Sequence, residues 1–342
     1  MNNPWRSIPP SDHYIHHKFI NPTETPMIAK GFSFSKVFGD MLTRPKLSRP
    51  PYPLPAVKQD LKNLNSEEPV IIWFGHSSYL IHCRGYNILV DPVFSGHASP
   101  VRGIIRAFPG SDLYKPADMP VIDLMLITHN HYDHLDKSTL RKLKGQTKKY
   151  VVSLGVGRDL ADCGIDRSLI TELDWWENIS PAENIELTAA PARHFSGRGF
   201  VRGGSLWSAF ALKLFGYSIY IGGDSGYDEF FNEIGRRLGP FDLAILECGQ
   251  YNLAWPNIHM MPEETALAAV QLKSRWLMPV HWGKFTLANH IWTEPVTRLL
   301  VAAKDLNLPV TTPKIGESII LNQSYPTQKW WEHLLENSGR GG

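Results

Sequence analysis

Cysteine is scarce in this chain: three residues among 342, Cys83, Cys163 and Cys248, with no CxxC pair. Their wide spacing gives no disulfide framework and suits free thiols in a reducing compartment. Net charge is also small, +2. That argues against a nucleic-acid binder working through a broad basic field, and leaves only a local basic patch open. No stretch approaches 18 uninterrupted apolar residues, so no transmembrane helix is expected. The amino terminus, MNNPWRSIPPSDHYIHHKF, lacks the apolar centre of a secretory signal. No short fixed repeat is present. These absences point to a soluble cytoplasmic protein whose contact with a membrane would be peripheral.

What is there is ordinary for a globular enzyme: 43% hydrophobic and 20% charged residues. A chain this long buries most of its apolar surface without covalent staples. Residues 1–65 differ from the rest. They are rich in proline (SRPPYPLPAV) and read as an extension that packs on or wraps a main domain of residues 66–325. Within the extension, Phe34, Val37, Phe38, Met41 and Leu42 share one helical face. That face suits a helix docked on the core, or one turned to a membrane or partner. Residues 326–342 read as a C-terminal tail.

In the main domain PVIIWF, SYLIHC and NILVD are three short strands, followed by the buried strands IDLMLIT and KYVVSL. DKSTLRKLKG between the last two is a helix, with Asp136 as its N-cap and Gly145 as its stop. GRDLADCG is a short helix. NIELTAAPA, LWSAFALKLF, YSIYIGG, FDLAILECG, WLMPV and ESIIL are strands. YDEFFNEIGRRLG, MPEETALAAVQLKS and TEPVTRLLVAAKDL are helices. A run of strands followed by alternating strands and helices predicts an α/β fold, with two mixed sheets face to face and helices outside.

One segment concentrates ligand-type side chains. ITHNHYDHLD, residues 127–136, carries His129, His131, Asp133 and His134 directly after a buried strand. Imidazoles and carboxylates are good ligands for zinc and its neighbours, and strand ends are where α/β sites form. An extended backbone points residues 129 and 131 one way, and a turn can send Asp133 and His134 to a neighbouring point. One segment could so serve two metals. Further ligands are available at other strand ends: His194 in APARHFSG, Asp224 in YIGGDSGY and His281 in LMPVHWG.

HxHxDH followed by a histidine, a GD aspartate and a late histidine resembles the metallo-β-lactamase superfamily. WFGHSSYLI, DPVFSGHASP, ELDWWEN, EIGRRLGPFDLA, HMMPEE and HWGKFTLAN further resemble N-acylphosphatidylethanolamine-hydrolysing phospholipase D and its bacterial relatives. The resemblance implies a four-layer αββα sandwich with a dinuclear zinc site on its rim. It implies His129, His131 and His194 on one metal, Asp133, His134 and His281 on the other, and Asp224 bridging both. Manganese or iron could fill the same seven positions.

Two metals sharing a water lower its pKa and steady a substrate oxygen, which suits a phosphodiester. Asp133 and Asp224 would then be catalytic, and His259 in NIHMMPEE is the candidate proton donor to the leaving alkoxide. Asp91, ending NILVD, is placed to orient a ligand histidine. His76 in FGHSS is a pocket wall or lies just behind the ligands. Gln250, Tyr251 and Asn252 follow a strand and could line the pocket. Trp175 and Trp176 suit packing. The expected substrate is an N-acyl phospholipid; a sugar lactone or cyclic phosphodiester stays open beside it. No nucleic-acid partner is expected, and a homodimer stays open.

Overall fold

Both faces of each sheet are covered, and the sequence shows this as continuous apolar runs where one-sided sheets would alternate. The computed structural model describes residues 10–33, 35, 39, 43–101, 103–199 and 201–336. Six strands come first: β1 (Val70–Trp73), β2 (Tyr79–Cys83), β3 (Tyr86–Val90), β4 (Leu124–Ile127), β5 (Tyr150–Ser153) and β6 (Ile170–Leu173). Successive side chains point to opposite faces. Ile71, Trp73, Tyr79, Ile81, Ile88, Val90, Leu124 and Leu126 enter one core. Val70, Ile72, Leu80, Leu89, Met125 and Ile127 enter a second core, where they meet Leu140, Leu143 and Leu160. Those leucines come from α1 (Lys137–Leu143) and α2 (Gly157–Ala161), which cover the outer face.

Setting aside a two-stranded pair, Gly197–Arg198 with Val201–Arg202, the following strands are β7 (Asn178–Ala182), β8 (Ile185–Ala190), β9 (Ala209–Leu214), β10 (Tyr217–Ile221), β11 (Leu243–Glu247) and β12 (Leu277–Val280). They form the second sheet, in the order β12-β11-β10-β9-β8-β7. A last strand, β13 (Ser318–Ile320), returns to the first sheet, whose order is β13-β1-β2-β3-β4-β5-β6. Each sheet is antiparallel in one part and parallel in the other. β3 to β6 are parallel, as are β10 to β12. The inner faces of the two sheets share the larger core, which also takes side chains from α3 (Phe230–Arg237), α4 (Pro262–Gln271) and α5 (Glu294–Asp305). The result is the expected αββα sandwich.

Three sequence readings need amendment. β6 and β7 went unassigned because they are the edge strands of their sheets, half-exposed and without an apolar run. Gly145 does not stop α1, which continues into a 3₁₀ turn, Lys144–Gln146, containing it. A tail boundary at 326 is too early: Trp330 and Trp331 are buried, each ring 5.4 Å from Trp282. A pair of adjacent indoles shows no periodicity, yet it buries a large apolar area.

Described residues of the N-terminal segment touch the domain at several points. A small hairpin pairs Tyr14–Ile15 with Lys18–Phe19, and Phe19 packs with Trp175 and Trp207. Leu54 and Leu61 enter the two main cores. The expected helix with Phe34, Val37, Phe38, Met41 and Leu42 lies outside the described residues. Among the described residues no helix is long and apolar enough to cross a membrane.

Candidate metal centre

Every candidate ligand follows the end of a strand. His76 follows β1, Asp91 β3, His129 to His134 β4, His194 β8, Asp224 β10 and His281 β12. The sandwich brings these ends together, half of them from each sheet. Backbone economy helps. A Cβ at Gly226 would lie 2.1 Å from Asn257 O, so only glycine lets the turn after Asp224 sit against the loop that carries Ile258 and His259. His76, Asp91 and His281 all adopt positive φ, 54°, 40° and 66°. Backbone of this kind costs energy for residues with a Cβ and concentrates at functional sites.

Two groups of four side chains converge, His129/His131/His194/Asp224 and His76/Asp133/His134/His281. In each group the potential ligand atoms lie within 4.8 Å of one another. In the first, His129 Nε2 is 3.0 Å from His131 Nδ1, which is 3.2 Å from His194 Nε2. In the second, His76 Nε2 lies 2.9 Å from Asp133 Oδ2, which is 3.6 Å from His134 Nε2. Asp224 joins them. Its Oδ2 is 3.7 Å from His129 Nε2, 3.7 Å from His194 Nε2 and 3.2 Å from His134 Nε2. Its Oδ1 is 3.1 Å from His281 Nδ1.

The protein fixes ring orientations from behind. His194 Nδ1 donates to Ile258 O at 2.8 Å, which leaves Nε2 as the lone-pair nitrogen. His134 Nδ1 donates to Asp91 Oδ2 at 2.8 Å, which likewise aims Nε2 inward. Asp91 also accepts from Thr128 N at 2.9 Å and Thr128 Oγ1 at 2.6 Å, so it holds both the ligand and the start of its loop. Ser77 Oγ lies 3.0 Å from His281 Nδ1.

A cation fits this donor set. His134 Nε2, His281 Nε2 and Asp224 Oδ1 are buried and have no hydrogen-bond partner. Such atoms are costly unless something else satisfies them. Burial drives His129, His194 and His281 well below the ordinary histidine range, and His131 down to about 4, so these rings are neutral with free lone pairs. For Asp133 and Asp224 burial favours the acid, but the surrounding histidines override it and both carboxyls stay ionised. Neutral imidazoles around ionised carboxylates are what a divalent cation requires. His134 goes the other way. Burial opposes its charge, and Asp224 with Asp133 draws a proton onto it. The two carboxylates attract positive charge, and among the protein's own groups His134 supplies part of it.

Not every candidate from the sequence faces this centre. Gln250 is a correction. Its Nε2 donates to His281 O and Phe285 O, and its Oε1 accepts from Leu287 N and Ala288 N, so its amide is fully used inside the fold. Tyr251 is another: its hydroxyl donates to Glu294 Oε1 at 2.6 Å and its ring stacks on His290. Both brace the loop after β11. His76 sits closer than a pocket wall, within the second ligand group itself.

Glu247 went unnoticed in the sequence. It ends β11, is buried, and accepts from His259 Nδ1 at 2.6 Å. The signal available was a lone carboxylate closing the apolar run LAILE. Burial opposes a charge on His259, but Glu247 outweighs it and holds the ring protonated above its ordinary range. His259 keeps 12% of its side chain exposed, against 0–1% for His129, His134, His194 and His281. Its ring is 5.1 Å from that of His194 and 5.2 Å from that of His281. It therefore stands beside the two ligand groups, open to a bound molecule.

Comparison with known proteins agrees with this picture. The family model described as the beta-lactamase superfamily domain matches residues 86–282. An uncharacterized protein of Mycobacterium tuberculosis is 39% identical over 298 residues, 85% of this chain and 79% of its own length. The N-acyl-phosphatidylethanolamine-hydrolyzing phospholipase D 1 of Caenorhabditis elegans is 30% identical over 267 residues, 72% of this chain and 74% of that one. Among solved structures, Igni18, a metallo hydrolase of Ignicoccus hospitalis, superposes with a TM-score of 0.57. It covers 75% of this chain and 99% of its own at 19% identity, so the likeness is one of fold.

Proposed function

The chain belongs to the metallo-β-lactamase superfamily and is a metal-dependent hydrolase, and from that premise we propose that it is a dinuclear zinc phosphodiesterase of phospholipase D type acting on N-acyl phospholipids. The observation that carries the reading is the position of Asp224, one carboxylate within 3.1–3.7 Å of histidine nitrogens in both ligand groups. In this reading His129, His131 and His194 hold one ion, Asp133, His134 and His281 the other, and Asp224 is shared. When bound, two such ions lower the pKa of a water and offset charge on phosphate oxygens.

The protein's own groups supply the rest. Asp91 and Ile258 O keep two imidazoles in the tautomer that presents Nε2. Glu247 occupies His259 Nδ1, so Nε2 is the nitrogen left to face the substrate, and its proton can pass to the departing alkoxide. Water adds to phosphorus and gives up one proton to solvent, the phosphorus–oxygen bond to the N-acylethanolamine breaks, the alcohol leaves with the His259 proton, and a solvent proton restores His259. The substrate class rests on the nematode relative, which its name describes as hydrolysing N-acyl-phosphatidylethanolamine and which aligns over 72% of this chain. Access to such a lipid would be from the membrane surface.

The metal-loaded protein should release phosphatidate and N-acylethanolamine from N-acyl-phosphatidylethanolamine in mixed micelles, and chelation should abolish the release. Intact lipid after prolonged incubation, or release that survives chelation, would overturn the reading.

A further inference from the structure

The N-terminal segment leaves a hollow against the metal centre. Residues 19–29 form a strap fastened at several points. Phe19 N donates to Gly203 O, Asn21 Nδ2 to His194 O, and Ala29 N to Ala254 O. Arg193 holds its middle, donating to Glu24 O and Thr25 Oγ1. Between the strap and the domain lies a cavity of about 360 Å³, lined by the apolar Phe19, Ile20, Met27, Phe195, Trp207 and Ile258 and by the charged Lys18, Glu24 and Arg202. His194, a candidate ligand, also lines it.

A second hollow is lined by His131 and Asp133, one from each ligand group. Phe195 and Arg202 line both hollows, so the two meet there. Arg202 is exposed. Its guanidinium touches Met27 Sδ at 2.8 Å and lies 6.0 Å from the Phe195 ring. A cation at this junction puts the anionic end of a bound molecule on the metal side and its apolar end under the strap. Exposed apolar side chains stand on all three segments that frame the cavity: Ile20 on the strap, Val201 beside Arg202, and Leu253 in the loop that carries Ile258. A polar substrate has no use for them, whereas a hydrocarbon chain leaving a bilayer does.

We propose that the strap cavity takes one hydrocarbon chain of the substrate, with Arg202 marking the boundary between chain and phosphate. The proposal rests on the lipid reading of the site for its substrate class. It makes Met27 and Ile20, on a segment outside the matched family domain, determinants of chain selectivity.

The test is calorimetric binding of dodecyl phosphate and methyl phosphate to the metal-loaded full chain, with Met27→Trp and Ile20→Trp as cavity-filling variants. The dodecyl chain should tighten binding of the wild type roughly tenfold or more, because each buried methylene favours the bound state. The variants should lose most of that gain while binding methyl phosphate as before. No gain from the chain, or a gain that survives in both variants, overturns the proposal. The same proteins assayed on N-acyl-phosphatidylethanolamine separate the two ideas. Chain-dependent binding without lipid cleavage removes the proposed reaction and leaves the cavity. Cleavage with unaltered chain dependence in both variants removes the cavity and leaves the reaction.

Discussion

Asp91 accepts three hydrogen bonds, from His134 Nδ1, Thr128 N and Thr128 Oγ1, and so ties one candidate ligand to the start of its loop. Replacing it by alanine should weaken metal binding 10–100-fold, as loss of a partner behind a ligand usually does. Chelator competition measures this, and an unchanged affinity would show that His134 is oriented without it. This role was readable in the sequence because an aspartate closing an apolar strand has few other reasons to be there. The cluster HNHYDH stood out for a simpler reason, since its four candidate ligands are neighbours in the chain. Glu247 closes a strand in the same way, but its partner His259 is twelve residues on and meets it only in the folded protein. Gln250 and Tyr251 follow the same strand. They were misjudged because position after a strand does not determine where a side chain turns.

At the scale of elements, the strands and helices of residues 70–320 could be read almost throughout, since their apolar runs are long and their caps plain. Asp136 does accept from Ser138 N as the N-cap of α1. The edge strands β6 and β7 could not, because half-exposed edges carry little apolar signal. Close approach between loops was not visible in the sequence, and the structure shows it at Gly226. Gly226→Ala would force a methyl group against the Asn257 carbonyl, so one backbone segment must shift. The turn after Asp224 and the loop carrying His259 should separate. Misplacement on the ångström scale costs about 10²-fold in rate, so kcat/KM should fall to that extent and thermal stability should drop with it. A variant with wild-type kinetics and melting temperature would show that the contact does not position the site.

The whole molecule places its chemistry on a seam. The first sheet contributes His76, Asp91 and the segment from His129 to His134. The second contributes His194, Asp224, Glu247 and His281. Neither sheet holds a complete ligand group in its own strand ends, so the centre forms only when the sandwich closes. This explains what the sequence could and could not tell: each half announces its ligands locally, while the distances that make Asp224 common to both belong to the packing of sheet on sheet. The strap belongs to this scale too, since its cavity exists only between the extension and the finished domain. The shared carboxylate is the claim on which the rest depends, and anomalous diffraction at the zinc edge from crystals of the zinc-loaded chain tests it most directly. The account predicts two peaks about 3.5–4 Å apart, one among His129, His131 and His194, the other among Asp133, His134 and His281, with an oxygen of Asp224 on each. A single peak, or two peaks of which Asp224 reaches only one, would contradict it.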